Sequence, residues 1–224
     1  IPGKLSRCKG EFHMNQNAAR NVLEFYFLAS KLKEVIRSGW KQWNVPRERL
    51  ESVAEHVFST CMLAIAIESE YHYNINLQKV IMMLVLHETE EIKIPDITPC
   101  DNVSAEEKLS IGHQAIKEVL SYLNKKEEYE ALILEFDAHE TPESIFAYMC
   151  DKLDADITSL YYDQNGECTL AKATAQLQEA PLTVRLSENG KHSMSECFWL
   201  FEHELNRVDK NFLEILDTAR EFWK

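Results

Sequence analysis

Apolar residues recur at the three- and four-residue spacing of an α-helix along most of the chain, and polar residues fill the positions between them. The few β-branched clusters fall inside these helical patterns. The sequence therefore predicts an all-α protein whose helices share a common core. The predicted helices span residues 18–38, 52–72, 76–91, 104–123, 126–138, 142–162, 168–179 and 194–223. The predicted breaks, which carry turn residues, fall at 44–49, 95–101, 163–167 and 181–190.

Three predicted helix starts carry capping signals. Ser52 and Glu55 have the spacing of a capping box, in which each side chain accepts a hydrogen bond from the backbone N–H of the other residue. Ser104 repeats this spacing, with an acid three residues later. Residues 141–143 read Thr-Pro-Glu, which supplies an N-cap, a proline at the first helical position and an acid that favours the helix dipole.

The segment from His87 to Asp96 places one histidine and four carboxylates directly behind the run 80–86, which is apolar on every side. A helix that is apolar all round lies inside a protein, so its end is expected to be buried as well. If the helix continues, His87, Glu88 and Glu91 share neighbouring parts of one face. Buried carboxylates are costly without a positive partner, and a divalent cation would supply that charge.

His56 and Asp151 are candidates for the same site. His56 follows the first capping box and has apolar neighbours at helical intervals, so it is expected to face the core. Those neighbours are Val53, Val57, Met62 and Ile65. There it is either a metal ligand or a hydrogen-bonded core histidine. Asp151 lies within an apolar pattern, whereas Asp154 and Asp156 could belong to a solvated flank, so Asp151 is the better candidate ligand.

The order of these residues resembles the His, His-Asp, Asp pattern of the HD-domain metal-dependent phosphohydrolases: His56 comes first, then His87-Glu88, then Asp151. Further blocks resemble the 5'-deoxynucleotidase branch of that superfamily. These blocks are Leu32-Lys33, Arg37, Gly39-Trp40, residues 51–56, Glu91 and Asp96-Ile97-Thr98. The resemblance extends from Leu32 to Asp156.

Two positions differ from the family's pattern. Glu88 stands where the family has an aspartate, and its extra methylene predicts a shifted metal or a changed metal preference. Pro95 stands where related sequences often have a glycine, which predicts an altered loop near Asp96.

The resemblance implies an HD-type helical bundle that releases phosphate from nucleoside 5'-monophosphates, in particular from deoxyribonucleotides. It implies one divalent metal ion, and Mn, Co, Fe, Zn and Mg all remain candidates. The implied metal ligands are His56, His87, Glu88 and Asp151. The implied catalytic residues are Glu91, Asp96 and Arg37, and the implied substrate-binding residues are Arg37, Trp40, Asp96, Ile97 and Thr98. In these roles Glu91 handles protons and Arg37 orients the phosphate. Judged alone, Arg37 could instead pair with Glu34, and Trp40 could merely pack.

Two alternatives stay open at this point. His113 and His139 fall between His87 and Asp151, and a dinuclear HD site that used them would permit phosphodiesterase or diiron oxygenase chemistry. The second alternative follows from Glu88, because the domain could be a catalytically weak or inactive module that binds a metal or a nucleotide.

Composition and net charge limit the classes of function that the protein can have. The formal net charge of −13 argues against tight binding to long nucleic acid, which needs basic patches. A small phosphorylated nucleotide remains a suitable partner. No apolar run approaches the roughly 20 residues that span a bilayer. The six cysteines are scattered, which suits free thiols and a cytoplasmic location.

Length and patterning predict one domain. Residues 1–13 lack any helical pattern and are interpreted as an expression-vector remnant, so that residues 14–224 form a single HD-type domain. A long C-terminal helix carries an apolar stripe, which covers the protein's own core or forms the interface of a homodimer. The stripe consists of Cys197, Phe198, Leu200, Phe201, Leu205, Val208, Phe212, Leu213, Ile215 and Leu216.

Overall fold

The computed structural model describes residues 17–98, 101, 103–198 and 209–222. Its α-helices are α1 (Ala18–Ala29), α2 (Ser38–Gln42), α3 (Val53–Tyr71), α4 (Leu77–Leu86), α5 (Ala105–Leu120), α6 (Lys126–Ala138), α7 (Pro142–Asp163), α8 (Ala175–Glu179), α9 (Pro181–Glu188), α10 (Met194–Cys197) and α11 (Lys210–Phe222). Short 3₁₀ helices cover Ser30–Lys33, Thr89–Ile92 and Leu170–Lys172. Within the described ranges, β-type pairing is limited to two isolated bridges, so the predicted all-α class is confirmed.

Capping side chains set the starts of the two longest helices. Ser52 Oγ accepts a hydrogen bond from the Glu55 N–H, and Glu55 Oε2 accepts one from the Ser52 N–H, which completes the predicted capping box. Thr141 caps α7, and Pro142 occupies its first position. Because these signals are local, the predicted bounds of α3 and α7 agree with the structure to within one residue. The predicted bounds of α6 agree as well, although no side chain caps its start.

The predicted helix at 18–38 is divided, which corrects the sequence-based expectation. The Arg37 N–H donates to the Glu51 carbonyl at 3.2 Å, and the Val53 N–H donates to the Val35 carbonyl at 2.8 Å. This pairing engages backbone groups that a continuous helix would need. The segment around Arg37 is therefore extended and runs beside the chain that enters α3.

The predicted helix at 76–91 ends early, at Leu86. The His87 Nδ1–H donates to the Leu84 carbonyl at 2.7 Å, and the Thr89 hydroxyl donates to the Leu86 carbonyl at 2.7 Å. These side chains satisfy carbonyls that the end of a helix leaves without partners. His87 and Glu88 therefore project from a turn and not from a continuous helical face.

The apolar faces of α3 and α4 are only partly buried. The run 80–86 was expected to be buried on every side, but Met82 and Val85 are exposed. Met62 and Ile65 of α3 are exposed too, although His56 on the same helix is fully buried. The outer faces of the two helices thus carry an apolar surface.

The predicted break at 181–190 contains a helix, α9. Pro181 occupies its first position, where the missing N–H costs no hydrogen bond, and Gly190 follows its end with a φ of 70°. The helix predicted at 168–179 is shortened to the 3₁₀ helix Leu170–Lys172 and α8.

Helix α7 lies at the centre of the fold, and α3, α4, α6, α10 and α11 pack against it. Phe146, Cys150 and Leu153 of α7 join Met83 and Leu84 of α4 in the main core. The buried side chains of α7 also include three aspartates in the middle of the helix. One helix therefore supplies both core packing and acidic groups.

The C-terminal helix predicted at 194–223 is interrupted at Asp209. Its Oδ1 accepts a hydrogen bond from the Asn211 N–H at 2.9 Å, and this contact starts α11 as a new helix. Phe212 and Leu216 of the predicted stripe are buried in the main core. Four stripe residues, Leu200, Phe201, Leu205 and Val208, lie outside the described residues, as does the segment 1–13. None of the described helices has the length and apolar character that crossing a membrane requires.

Candidate metal centre

His56 is completely buried near the start of α3, and both of its ring nitrogens face carboxylates. Its Nδ1 lies 2.7 Å from Asp154 Oδ2, and its Nε2 lies 2.9 Å from Asp151 Oδ1. The prediction that His56 faces the core is confirmed. Because the Asp154 carboxylate accepts the Nδ1–H, the imidazole turns Nε2 towards the remaining acids.

His87 lies in the turn after α4 and presents the same nitrogen. Its Nδ1–H is engaged by the Leu84 carbonyl, and its buried Nε2 has no hydrogen-bond partner. This Nε2 lies 3.5 Å from Glu88 Oε1 and 3.7 Å from Asp151 Oδ1. A buried ring nitrogen without a hydrogen bond is uncommon and suggests that a ligand completes the site.

The four predicted ligands come together. One donor atom each from His56, His87, Glu88 and Asp151 lies within 4.8 Å of every other. Donor atoms that share an ion at about 2.0–2.2 Å lie about 3–3.6 Å from one another, so small movements would close this cluster around a metal. Two imidazoles and two carboxylates form a donor set that suits divalent transition metals. The residues therefore fit a metal ion.

The electrostatics of the cluster favour a bound cation. Burial lowers the pKa of His56, but the hydrogen bonds of Asp151 and Asp154 outweigh it and raise that pKa to about 9. Burial likewise opposes the charge of Glu88, yet the two histidines and Arg37 lower its pKa to about 2. The carboxylates thus stay ionised, and their negative charge keeps the imidazoles protonated. A bound metal ion would supply the positive charge in place of these protons.

Two basic side chains lie beside the cluster, and each faces a different candidate ligand. Arg37 Nη1 lies 3.5 Å from Glu88 Oε1, and Arg37 Nε lies 3.8 Å from Glu51 Oε2. Lys152 Nζ lies 2.8 Å from Asp151 Oδ2. Arg37 is therefore part of the site, and the alternative of a surface pair with Glu34 is not what the structure contains.

A cavity of about 680 Å³ opens onto this cluster. The predicted site residues that line it are Arg37, Trp40, His87, Glu88, Glu91, Asp96, Ile97, Thr98 and Asp151. Trp40 is 1% exposed, and it stacks on Phe198 and meets the edge of Tyr162. Its indole therefore packs in the core and also forms part of the cavity wall.

Glu91 is buried in the 3₁₀ helix Thr89–Ile92, and its Oε2 has no hydrogen-bond partner. Burial, together with the negative charges of Glu88 and Asp96, raises the pKa of Glu91 to about 11. In this arrangement of charges the Glu91 carboxyl group holds a proton at neutral pH, next to the metal cluster.

The loop after this 3₁₀ helix is tied to its surroundings at three successive residues. Asp96 Oδ2 accepts a hydrogen bond from the Ser38 N–H, and the Ile97 carbonyl accepts one from Lys108 Nζ. The Thr98 hydroxyl oxygen accepts one from Gln42 Nε2 at 2.9 Å. These bonds hold the loop at the cavity wall despite Pro95.

His113 and His139 line the same cavity but belong to neither potential metal cluster of the described residues. His113 Nε2 pairs with Asp137 Oδ2 at 2.8 Å, and the His139 ring lies 3.9 Å from that of Tyr148. This geometry does not favour the dinuclear alternative.

Three charged residues of the site were given no role from the sequence: Asp154, Glu51 and Lys152. The suggestion that Asp154 and Asp156 could belong to a solvated flank is wrong, because both are buried. Asp154 is three residues after Asp151, so the two share one face of α7, and this spacing was a usable signal. The roles of Glu51 and Lys152 depend on tertiary contacts.

Curated relatives resemble the chain over most of its length. It is 31% identical over 196 residues to the 5'-deoxynucleotidase hdd1 of Schizosaccharomyces pombe, and this alignment covers 83% of this chain and 96% of the relative. It is 30% identical over 153 residues to the 5'-deoxynucleotidase HDDC2 of Bos taurus, which covers 67% of this chain and 72% of the relative.

Solved structures share the fold. A conserved hypothetical protein from Pyrococcus furiosus aligns with a TM-score of 0.61 at 23% identity, over 89% of this chain and 99% of its own. An HD-domain phosphohydrolase from Listeria innocua aligns with a TM-score of 0.54 at 20% identity, over 89% of this chain and 98% of its own. The HD domain model matches residues 29–188, which contain all four clustered ligand candidates. The predicted helical bundle is confirmed, and the matched residues contain the motifs that the sequence shows. The chain therefore belongs to the HD domain family.

Proposed function

We propose that the protein is a metal-dependent phosphohydrolase that releases phosphate from deoxyribonucleoside 5'-monophosphates. The main observation that supports this proposal is the buried cluster of His56, His87, Glu88 and Asp151, which opens onto a cavity beside Arg37. The relatives named 5'-deoxynucleotidases, similar over most of the chain, support this substrate class.

The four clustered residues would hold one divalent ion. When bound, such an ion supplies a polarised water and neutralises negative charge on the phosphoryl group. His56 and His87 are already oriented for this role, because Asp154 and the Leu84 carbonyl each engage an Nδ1–H. Both imidazoles therefore reach the cluster through Nε2.

Arg37 binds the phosphate. Its planar guanidinium matches two phosphate oxygens with parallel hydrogen bonds, and it lies 3.5 Å from the candidate ligand Glu88 at the cavity wall. A phosphate held by Arg37 therefore lies close to the metal cluster. The attacking water and the phosphorus atom are then brought together, which accounts for much of the rate enhancement in phosphoryl transfer.

Glu91 holds and moves the proton. Its Oε2 is buried beside Glu88, without another partner, on the wall of the cavity. A proton on this oxygen can pass to the leaving 5'-oxygen, which otherwise departs as a costly alkoxide, and the carboxylate that results can accept the proton of the attacking water. Trp40 and the loop from Asp96 to Thr98 bound the space for the sugar and exclude water from it.

We further propose that residues 14–224 form a single domain that associates as a homodimer. Exposed apolar side chains on three helices, of which α3 and α4 pack against each other, support self-association, since exposed apolar patches mark interaction sites. They are Val22, Leu23, Tyr26 and Phe27 of α1, Phe58, Met62 and Ile65 of α3, and Met82 and Val85 of α4. Light scattering should give twice the monomer mass, and Phe58→Glu should reduce it to that of the monomer. A cytoplasmic location is consistent with the free thiols of Cys61, Cys150 and Cys168.

Phosphate release from a panel of deoxyribo- and ribonucleoside 5'-monophosphates tests the function. The protein is first stripped with a chelator and then supplied with Mn²⁺ or Co²⁺. Release is expected only with metal, and it should be lost in His87→Ala but retained in His192→Ala, which removes an exposed histidine outside the cavity. Absence of release from every monophosphate, by folded and metal-loaded protein, would contradict the proposed function.

A further inference from the structure

Glu51 lies immediately before the N-cap of α3, and its carboxylate faces two residues of the cavity wall. Its Oε2 accepts a hydrogen bond from Trp40 Nε1–H at 2.9 Å and lies 3.8 Å from Arg37 Nε. The Glu51 side chain is only 11% exposed, so water competes weakly for either contact. One carboxylate oxygen therefore connects the indole to the guanidinium.

The backbone of Glu51 is fixed on two sides. Its carbonyl accepts the Arg37 N–H at 3.2 Å, and its N–H donates to the Tyr162 hydroxyl at 3.1 Å. The Tyr162 ring in turn lies nearly perpendicular to the Trp40 indole, with 5.2 Å between ring centroids. Because backbone, indole and phenol hold one another, the carboxylate is preorganised.

Arg37 is shared between two carboxylates of different function. Its Nε faces Glu51, whereas its Nη1 faces the candidate metal ligand Glu88 at 3.5 Å. Contacts on two edges set the plane of a guanidinium. Without Glu51, the attraction to Glu88 and Asp151 would be less opposed and would draw Arg37 towards the metal cluster.

We propose that Glu51 is a positioning residue that sets Arg37 and Trp40, together, in the geometry that receives a nucleoside 5'-monophosphate. This inference rests on the proposed function, because Arg37 and Trp40 act on a substrate only if the cavity binds one. Glu51 acts through these two side chains and needs no contact with the nucleotide.

Two substitutions separate the contacts of Glu51. Glu51→Gln keeps an oxygen acceptor for the indole N–H but removes the charge that faces Arg37, and Glu51→Ala removes both. For deoxythymidine 5'-monophosphate with Mn²⁺, kcat/KM should fall about tenfold in Glu51→Gln and about 100-fold in Glu51→Ala, since displacements near 1 Å have effects of this size. Because Glu51, His56 and Asp154 each place a carboxylate oxygen or ring nitrogen within 4.8 Å of the others, kcat/KM is compared at a Mn²⁺ concentration that saturates each variant, as judged by chelator competition. Glu135→Gln is the matched control. The Glu135 carboxylate likewise joins a cation, Lys79, to a neutral donor, the Thr141 hydroxyl, but it lies outside the cavity.

A double-mutant cycle distinguishes positioning from a general loss of structure. If Glu51 acts through Arg37, adding Glu51→Ala to Arg37→Lys should cost far less than it costs in the parent. The chelated, metal-free Glu51→Ala protein should also bind the same nucleotide more weakly than the metal-free parent. Additive losses, or a Glu51→Ala protein with parental kcat/KM, overturn the inference while the proposed function stands. A parent that hydrolyses no monophosphate overturns both.

Discussion

His56 Nδ1 lies 2.7 Å from Asp154 Oδ2, and the two residues are 0% and 7% exposed. A buried carboxylate in this position fixes the tautomer of the imidazole and increases the basicity of its other nitrogen. That nitrogen is the one that faces Asp151 and Glu88. We therefore expect Asp154 to support metal binding although it is not one of the four clustered ligand candidates.

Asp154→Ala is expected to weaken the affinity for Mn²⁺ by about 10- to 100-fold, which is typical of lost carboxylate–histidine contacts at metal sites. Competition with a fluorescent chelator measures this affinity, and circular dichroism checks that the helices are retained. Asp163→Ala is the matched control, because Asp163 ends the same helix but bonds the Ser195 hydroxyl instead. Equal affinities in the two variants would show that Asp154 does not orient His56.

Glu88→Asp tests the departure from the family's aspartate. The shorter side chain withdraws the carboxylate by about 1.5 Å, one carbon–carbon bond, so it loses reach to both histidines and to Arg37. We expect lower metal affinity and a kcat/KM reduced by about tenfold, since displacements near this size are costly. Glu88→Gln keeps the length without the charge and separates the two effects. Turnover by Glu88→Asp at or above the parent rate would indicate that the chain tolerates the family's residue.

Local signals predicted much of the fold. The Ser52–Glu55 capping box and the Thr141-Pro142 start each need only a few neighbouring residues, and both helices begin there. The break before Arg37 was not predicted, because a partner distant in sequence decides it. The extended backbone at Arg37 depends on pairing with Glu51, which no periodicity can reveal.

The candidate site shows the same division. The clustering of its four ligand candidates could be predicted because their order and apolar surroundings are visible in the sequence. Lys152 was missed because a lysine next to an aspartate usually lies in solvent, and only the packing of α7 directs it to Asp151. Asp154 was missed although its spacing from Asp151 placed both on one helical face.

Phe212 anchors α11 to the main core, where its ring meets those of Tyr73 and Phe146. Phe212→Ala should lower the free energy of unfolding by about 3–5 kcal/mol, because it removes a buried aromatic ring and leaves a cavity. Phe222→Ala on the same helix should change it by less than about 0.5 kcal/mol, because Phe222 is 79% exposed. Urea unfolding measures both values. A small effect at Phe212 would mean that α11 contributes little to the folded state.

Glu135 joins three helices, because its Oε1 accepts hydrogen bonds from Lys79 Nζ on α4 and from the hydroxyl of Thr141, the N-cap of α7, each at 2.6 Å. Burial alone would raise the pKa of Glu135, but these two contacts outweigh it and lower the pKa below its usual 4.5. A carboxyl group whose pKa is lower in the folded state stabilises the protein above its unfolded pKa. This contribution is lost as the pH falls through the folded pKa.

The parent should therefore be more stable than Glu135→Gln at pH 7, by about 0.5 kcal/mol for this partly exposed pair. The difference should disappear when the pH falls well below 4.5, the usual pKa of this group. Urea unfolding of both proteins at a series of pH values measures the difference, in which the other titrating groups largely cancel. A difference that is constant from neutral to acidic pH would contradict the lowered pKa, because the charge of Glu135 would then have no part in joining α4, α6 and α7.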